Sequence, residues 1–462
     1  MNRSDAKSRF VAVAGVFLIG GGVSALNLGL GVGLIGLIVG LAAAWGLARW
    51  AGRSLAELVL VVYVIFFALS LSDIGRIQFR GQETPIYVAL LPVALISLIS
   101  EKGTAAAGGA DRQRVNRVRS VSLIGFLLTL MASIFVSGDR PTSIVTTTFM
   151  AISLAGYWML AQVTQRPLWL KLVAATLAAM FWPLLAGLYR LFFDPTSNYR
   201  LSFARNVDLP NLTAFFLFPA LFIFFGVAFT GALTWKRAAA LGLTGVIAYS
   251  LVMTGSRGGW LAAAVGLAAV ILLLGRRLHW RRLLLVGALT LLIAPLVVPK
   301  AILLRAQSFF QPLATTLTDA GEIIPVEETD VGRNSIWRDY WQEVVKAPLT
   351  GIGVGYYINT IEGYRSAHNS YLSAWAGAGV FCLLFLLAIL THHALLLWRA
   401  RAQAGSDLGW FILVGVFVAT LTHLVFENFV FTHFFWVFFG LQAAGVNIFL
   451  ASNAPAQAQA RT

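Results

Sequence analysis

Four short stretches of this 462-residue chain carry residue types that could do chemistry together. Thr254-Gly-Ser-Arg-Gly-Gly-Trp260 sets Arg257 beside glycines at the start of an apolar run. The free N–H groups of a helix N-terminus, with an arginine beside them, suit a phosphate-like anion, and glycines let a ligand approach the backbone. Ser256 is placed to cap that helix. Val331-Gly-Arg-Asn-Ser-Ile-Trp337 sets Arg333 ahead of a second helix, and Tyr189 to Asn211 holds Arg190, Arg200 and Arg205 among Asp194 and Asp208. In Tyr364-Arg-Ser-Ala-His-Asn-Ser-Tyr371, His368 stands beside Asn369, Ser370 and Tyr371 where another apolar run begins. A helix N-terminus disfavours an added cation, and a neutral imidazole is what a general base requires. Glu427, at the end of a later apolar run, is placed to orient the other ring nitrogen. Arginines around one such histidine describe a site for a diphosphate beside a proton acceptor.

Each of these residues also has a plainer reading. Loop arginines pair with nearby aspartates at little net gain. A lone arginine at a helix end can snorkel. Arg333 can pair with Glu327, Glu328 or Asp330, and His368 can be an ordinary interfacial histidine. No Asp-x-Asp pair, paired histidine ligands or Gly-x-x-x-x-Gly-Lys loop appears, so neither a bound divalent metal nor ATP is indicated and no cofactor is expected. His392 and His393 are adjacent, not one turn apart, which does not make a metal site. Cys382 is the one cysteine, so no intramolecular disulfide can form.

The elements that must position these residues lie in lipid. Hydrophobic residues make up 58% of the chain and charged residues 11%, against about 25% charged in soluble domains; the mean hydropathy is +0.80. A soluble enzyme, a disulfide scaffold and a disordered regulator are excluded. Apolar runs of about 20 residues fall near 10–27, 28–48, 55–73, 84–100, 120–137, 143–163, 168–189, 211–231, 238–254, 258–274, 283–299, 368–390, 408–426 and 430–450. The first two can also be read as one long tilted helix or a cleaved signal peptide. The expectation is an all-α polytopic membrane protein with about 12–14 transmembrane helices. Alternating the loops puts 21 of the 34 basic residues on the N-terminal side. By the positive-inside rule both termini are cytoplasmic and all four stretches face outward. The net charge of +15 is thus a topology signal, and nucleic acid is not needed to explain it.

Four regions follow: transmembrane helices over 1–299, a long outer loop over 300–367, three further spans over 368–450, and a polar, disordered cytoplasmic tail over 451–462. Within the loop, Ser335 to Val345 has helical spacing with Ile336, Tyr340 and Val344 on one stripe, ended by Pro348 and the glycines of Gly351-Ile-Gly-Val-Gly355. Trp337, Trp341, Tyr356 and Tyr357 argue for an ordered loop lying against the membrane surface.

With those residues in view, the chain resembles the O-antigen ligase and polymerase superfamily of bacterial envelope glycosyltransferases. The matching segments are Leu209-Pro-Asn-Leu-Thr-Ala-Phe215, Thr254-Gly-Ser-Arg-Gly-Gly-Trp-Leu261, Arg333 to Trp337, Ala347-Pro-Leu-Thr-Gly-Ile-Gly-Val-Gly355 and Ala367-His-Asn-Ser-Tyr-Leu372. They span about residues 200–440 in the family's order, and only generic membrane helices match before them.

The resemblance implies a bacterial inner-membrane enzyme with a periplasmic site, using a polyprenyl (undecaprenyl) diphosphate-linked glycan as donor without nucleotide or metal. Arg257 and Arg333 would neutralise the diphosphate, with Arg200 or Arg205 as a further family arginine. His368 would take the acceptor proton in an inverting displacement, and Asn369, Tyr371 and Glu427 would complete the substrate site. The acceptor implied is the lipid A core of lipopolysaccharide. A second carrier-linked repeat unit, as in the polymerase, or a protein hydroxyl would use the same chemistry. A secondary transporter is the reading from another class. It would place ionisable residues near the midplane of repeated halves, and here they gather at the outer boundary.

Overall fold

A computed structural model describes residues 55–69, 76–79, 82–85, 110–193, 201–202, 210–307, 315–317, 323–325, 333–354 and 367–451. The spans expected near 10–27 and 28–48, most of the one near 84–100, and the tail beyond residue 451 lie outside these residues. The described helices are α1 (Leu55–Leu69), α2 (Ala110–Val136), α3 (Arg140–Leu160), α4 (Arg166–Phe193), α5 (Pro210–Phe229), α6 (Trp235–Met253), α7 (Arg257–Leu274), α8 (Trp280–Val297), α9 (Lys300–Gln307), α10 (Arg333–Lys346), α11 (Ser370–Ala404), α12 (Leu408–Phe426) and α13 (His433–Ala451). Among the described residues, strands occur only as two short antiparallel hairpins: Arg76–Phe79 with Gln82–Pro85, and Thr315–Leu317 with Ile323–Pro325.

Among the described residues, eight helices are long and apolar enough to cross a membrane: α2, α3, α4, α5, α7 with the turn that follows it, α11, α12 and α13. The protein is an all-α polytopic membrane protein. The stretches expected to span at 238–254 and 283–299 form helices α6 and α8.

The chain divides into two compact units. The first holds α1, the first hairpin and α4 up to Leu185. Leu60 to Val64 and Phe67 of α1 are buried, and Glu57 in its first turn pairs with Lys171 at 3.6 Å. The second unit holds everything else and all the described candidate site residues. Helix α5 is apolar all round and lies inside it, with Phe215, Phe216, Phe218, Phe222, Phe225 and Phe229 buried. Phe215 meets Phe438 edge-on at 5.1 Å and Phe216 meets Phe434 at 5.7 Å, locking α5 to α13. Lipid is as apolar as these side chains, so close packing, and not escape from water, holds such helices together.

Polar groups fix the end of the bundle opposite the site. Arg119 of α2 is 2% exposed. Its guanidinium donates to the Ala161 carbonyl at 3.4 Å and to the Asn447 side chain at 3.2 Å, and the Asn447 amide donates to the same carbonyl at 2.6 Å. Ala161 is the C-cap of α3, where the helix dipole is negative and carbonyls lack partners, so a cation belongs there. One arginine thus ties α2, α3 and α13 together.

Helix α11 has 35 residues, about 52 Å at 1.5 Å per residue, well beyond the roughly 30 Å of a hydrocarbon core. It breaks at Ala378 and Gly379, where φ is 81° at the glycine. The segment that follows α10 is woven into this break. Ile352 N–H donates to the Ala376 carbonyl at 2.9 Å and Gly353 N–H to the Gly377 carbonyl at 3.0 Å. In return Val380 N–H donates to the Pro348 carbonyl at 2.9 Å, so the groups freed by the kink are satisfied by a second strand of chain. A Cβ on Gly379 would stand 2.0 Å from the Leu349 carbonyl oxygen. The residues that spacing marks only as the end of a loop helix are therefore a structural insert.

Helix α10 packs Ile336, Tyr340 and Val344 against Ala367 and Ala376. It runs two residues earlier and one later than the expected Ser335 to Val345.

Two left-handed glycines separate strain from collision. Gly405 has φ 52° and open space around it, so Gly405→Ala should cost only backbone strain of about 1–3 kcal/mol. Gly379→Ala adds a clash with Leu349 and should lower the thermal midpoint in detergent much further; equal midpoints would contradict the woven break.

Candidate active site

The site lies where α5 and α7 begin, α12 ends and α11 begins. Helix α7 starts directly after α6 because Ser256 adopts an extended conformation and its side chain accepts Gly259 N–H at 3.0 Å. Arg257 is then the first residue of α7, with an exposed side chain at the dipole's positive end. The glycines beside it serve packing. A Cβ on Gly258 would meet Phe426 at 2.6 Å, and one on Gly259 would meet Ala214 at 2.5 Å. They let α7 approach α12 and α5 closely, where their spacing had suggested room for a ligand.

His368 has φ 46°, the left-handed region that a non-glycine residue rarely enters, and it is the only such residue among those described. The cost is of order 1–3 kcal/mol and persists only where surroundings dictate it. Those surroundings are visible on both sides. Before it, the Trp337 indole of α10 donates to the Ala367 carbonyl at 2.8 Å. After it, Asn369 caps α11, its side-chain oxygen accepting Tyr371 and Leu372 N–H at 3.0 Å each. Ser370 donates its hydroxyl to the Glu427 carbonyl at 2.7 Å and accepts Phe429 N–H at 2.9 Å. This staples the start of α11 to the end of α12.

The result is a facing pair. Nδ1 of His368 lies 2.9 Å from Oε1 of Glu427, with side chains 36% and 12% exposed. The other carboxylate oxygen accepts the Asn211 amide, and the Asn211 carbonyl accepts the Ser256 hydroxyl. Hydrogen bonds therefore run in one sense from Gly259 N–H through Ser256 and Asn211 into the carboxylate. A carboxylate only accepts, so Nδ1 of His368 donates to it, and in a neutral ring Nε2 is then the nitrogen able to accept a proton. That is a general-base geometry, next to a helix end and an arginine that suit an anion.

The other expected residues are placed as follows. The Tyr371 hydroxyl donates to the Leu421 carbonyl at 3.4 Å, on the flank of α12. Arg333 is the first residue of α10, and its side chain is outside the described set. Arg200 and Arg205 lie outside the described residues. Beside Arg200, Leu201 N–H donates to the Met253 carbonyl at 2.7 Å, and Arg190 donates to the Ser202 carbonyl at 3.0 Å. Leu201 is thus pinned to the end of α6, just ahead of the turn that holds Ser256. Asn211, Ser256 and Ser370 were not counted as site residues from spacing; a polar residue at a helix start reads as a cap, and nothing local reveals its distant partner. Among the described residues, no three of His, Cys, Asp and Glu converge as metal ligands would.

The family model described as O-antigen ligase matches residues 242–387. The matched stretch contains Arg257, Arg333 and His368, while Asn211 and Glu427 lie outside it on either side. No curated protein matches the chain. Residues 242–387 thus resemble an O-antigen ligase domain, and the match supports the O-antigen ligase superfamily.

Proposed function

We propose that this protein transfers a glycan from a polyprenyl (undecaprenyl) diphosphate carrier to an acceptor hydroxyl. The acceptor in this reading is the lipid A core, and the reaction is O-antigen ligation at the periplasmic face of a bacterial inner membrane. One observation carries the reading: the His368–Glu427 pair at 2.9 Å sits at the bundle end where α7 opens with Arg257. The O-antigen ligase match of this stretch supports a glycosyltransferase, and a histidine held by a carboxylate near a helix start with an arginine suits such a reaction.

In this mechanism the acceptor hydroxyl gives its proton to Nε2 of His368 as its oxygen bonds to the anomeric carbon. The bond from that carbon to the diphosphate oxygen breaks on the opposite face, its electron pair leaving with the polyprenyl diphosphate, and the anomeric centre inverts. Glu427 holds the imidazole and stabilises the imidazolium that forms. Arg257, with the N–H groups opening α7, neutralises the leaving diphosphate, because a guanidinium fork matches phosphate oxygens. Arg333, and Arg200 or Arg205, add to that charge in the same reading, and Asn369 and Tyr371 flank the acceptor. No nucleotide or metal takes part.

The test is a strain lacking this protein, complemented with His368→Ala or Arg257→Ala, with its lipopolysaccharide resolved on a gel. A general base contributes about 10²–10⁴-fold, so either variant should leave lipid A core bare while long glycan accumulates on the carrier. Core bearing a single repeat unit would assign the polymerase reaction instead, and wild-type lipopolysaccharide from both variants would contradict the mechanism.

A further inference from the structure

We infer that Asn211 is a positioning residue that orients the Glu427 carboxylate and, through it, the His368 ring, an inference that rests on the transfer reading above. Its two amide atoms hold two different parts of the site. The nitrogen donates to Oε2 of Glu427, the oxygen that does not face His368. The oxygen accepts the hydroxyl of Ser256, which caps the helix that Arg257 begins. Asn211 is itself fixed, as the second residue of α5, directly after Pro210 and ahead of the buried Phe215 and Phe216.

A glutamate at the C-cap of α12 has no intrinsic reason to aim one oxygen at a histidine 59 residues away. A helix C-terminus repels a carboxylate, because its own carbonyls are the negative end of the dipole. Glu427 is 9% exposed, so water cannot offset that cost, and both oxygens need donors. The Asn211 amide and the His368 ring supply one each. Removing the amide takes a donor from Oε2 of Glu427, the carboxylate gains freedom to rotate, and the imidazole loses its alignment. Ser256 donates to the Asn211 oxygen and so holds the amide with its nitrogen toward the same carboxylate. The hydrogen-bond sense is uniform along this path, so each bond polarises the next.

The inference predicts which kinetic constant changes. A residue that acts through Glu427 alters the chemical step and leaves donor affinity nearly alone. The assay uses the full-length protein in nanodiscs, with the lipid-linked glycan extracted from a strain lacking this protein as donor. Asn211→Ala should lower kcat by about 10- to 100-fold, the effect of one lost charge-assisted hydrogen bond, with KM for the donor little changed. Asn211→Asp keeps the shape and the acceptor for Ser256 but sets an oxygen against Glu427, so it should fold and lose at least as much turnover. Combined with Glu427→Gln, Asn211→Ala should add little further loss, because the carboxylate it orients is already gone. Wild-type turnover in Asn211→Asp, a rise in KM alone, or fully additive losses would overturn the inference while His368→Ala remains inactive. Retained activity in His368→Ala would instead remove the transfer reading, and this inference with it.

Discussion

A carboxylate at the end of a helix that repels it, largely shielded from water, must be bound on all sides or not be there. Glu427 meets that condition, and the local architecture follows from it. Its carbonyl takes the Ser370 hydroxyl, one side-chain oxygen takes Asn211 and the other faces His368. These partners stand at the first residue of α11, the second of α5 and the left-handed residue ahead of α11. Satisfying one buried anion therefore draws the starts of two helices to the end of a third. The imidazole receives its orientation as part of that settlement, and the strained backbone at His368 is the local cost.

The broken helix α11 serves the same end. A continuous helix would carry its first turns straight on, while a break lets residues 370–377 take a separate course toward Glu427. Breaking a helix in an apolar setting exposes backbone groups that lipid cannot satisfy. The segment from Pro348 to Gly353 satisfies them by exchange, donating to Ala376 and Gly377 and accepting from Val380. The same segment follows α10, whose Trp337 holds the carbonyl just before His368. Loop helix, insert and broken span thus form one support for the histidine.

The class of the protein was legible in composition, and helix placement in apolar runs, because both depend on local residue types. The histidine and glutamate stood out for a local reason too: ionisable residues at span ends are costly unless used. What was not legible depends on partners distant in sequence. Arg119 counted as one more basic residue near a span end, yet it is buried as a cap for α3. Gly258 and Gly259 read as room for a ligand and instead admit neighbouring helices. The glycines after Pro348 read as a helix stop, while their place in the α11 break depends on residues some 25 positions further on. Asn211 and Glu427 are separated by 216 residues, and no periodicity reports such a pair.

In the proposed mechanism Glu427 holds one proton on Nδ1 of His368, and Nε2 takes the proton of the acceptor. Nitrogen NMR of histidine-labelled protein in nanodiscs reads this directly, with the His368 signals assigned by difference against His368→Gln. The proposed mechanism requires a proton on Nδ1 and none on Nε2 at a pH where the protein is active, with that preference lost in Glu427→Gln. A proton resting on Nε2, or a tautomer indifferent to Glu427, would contradict it.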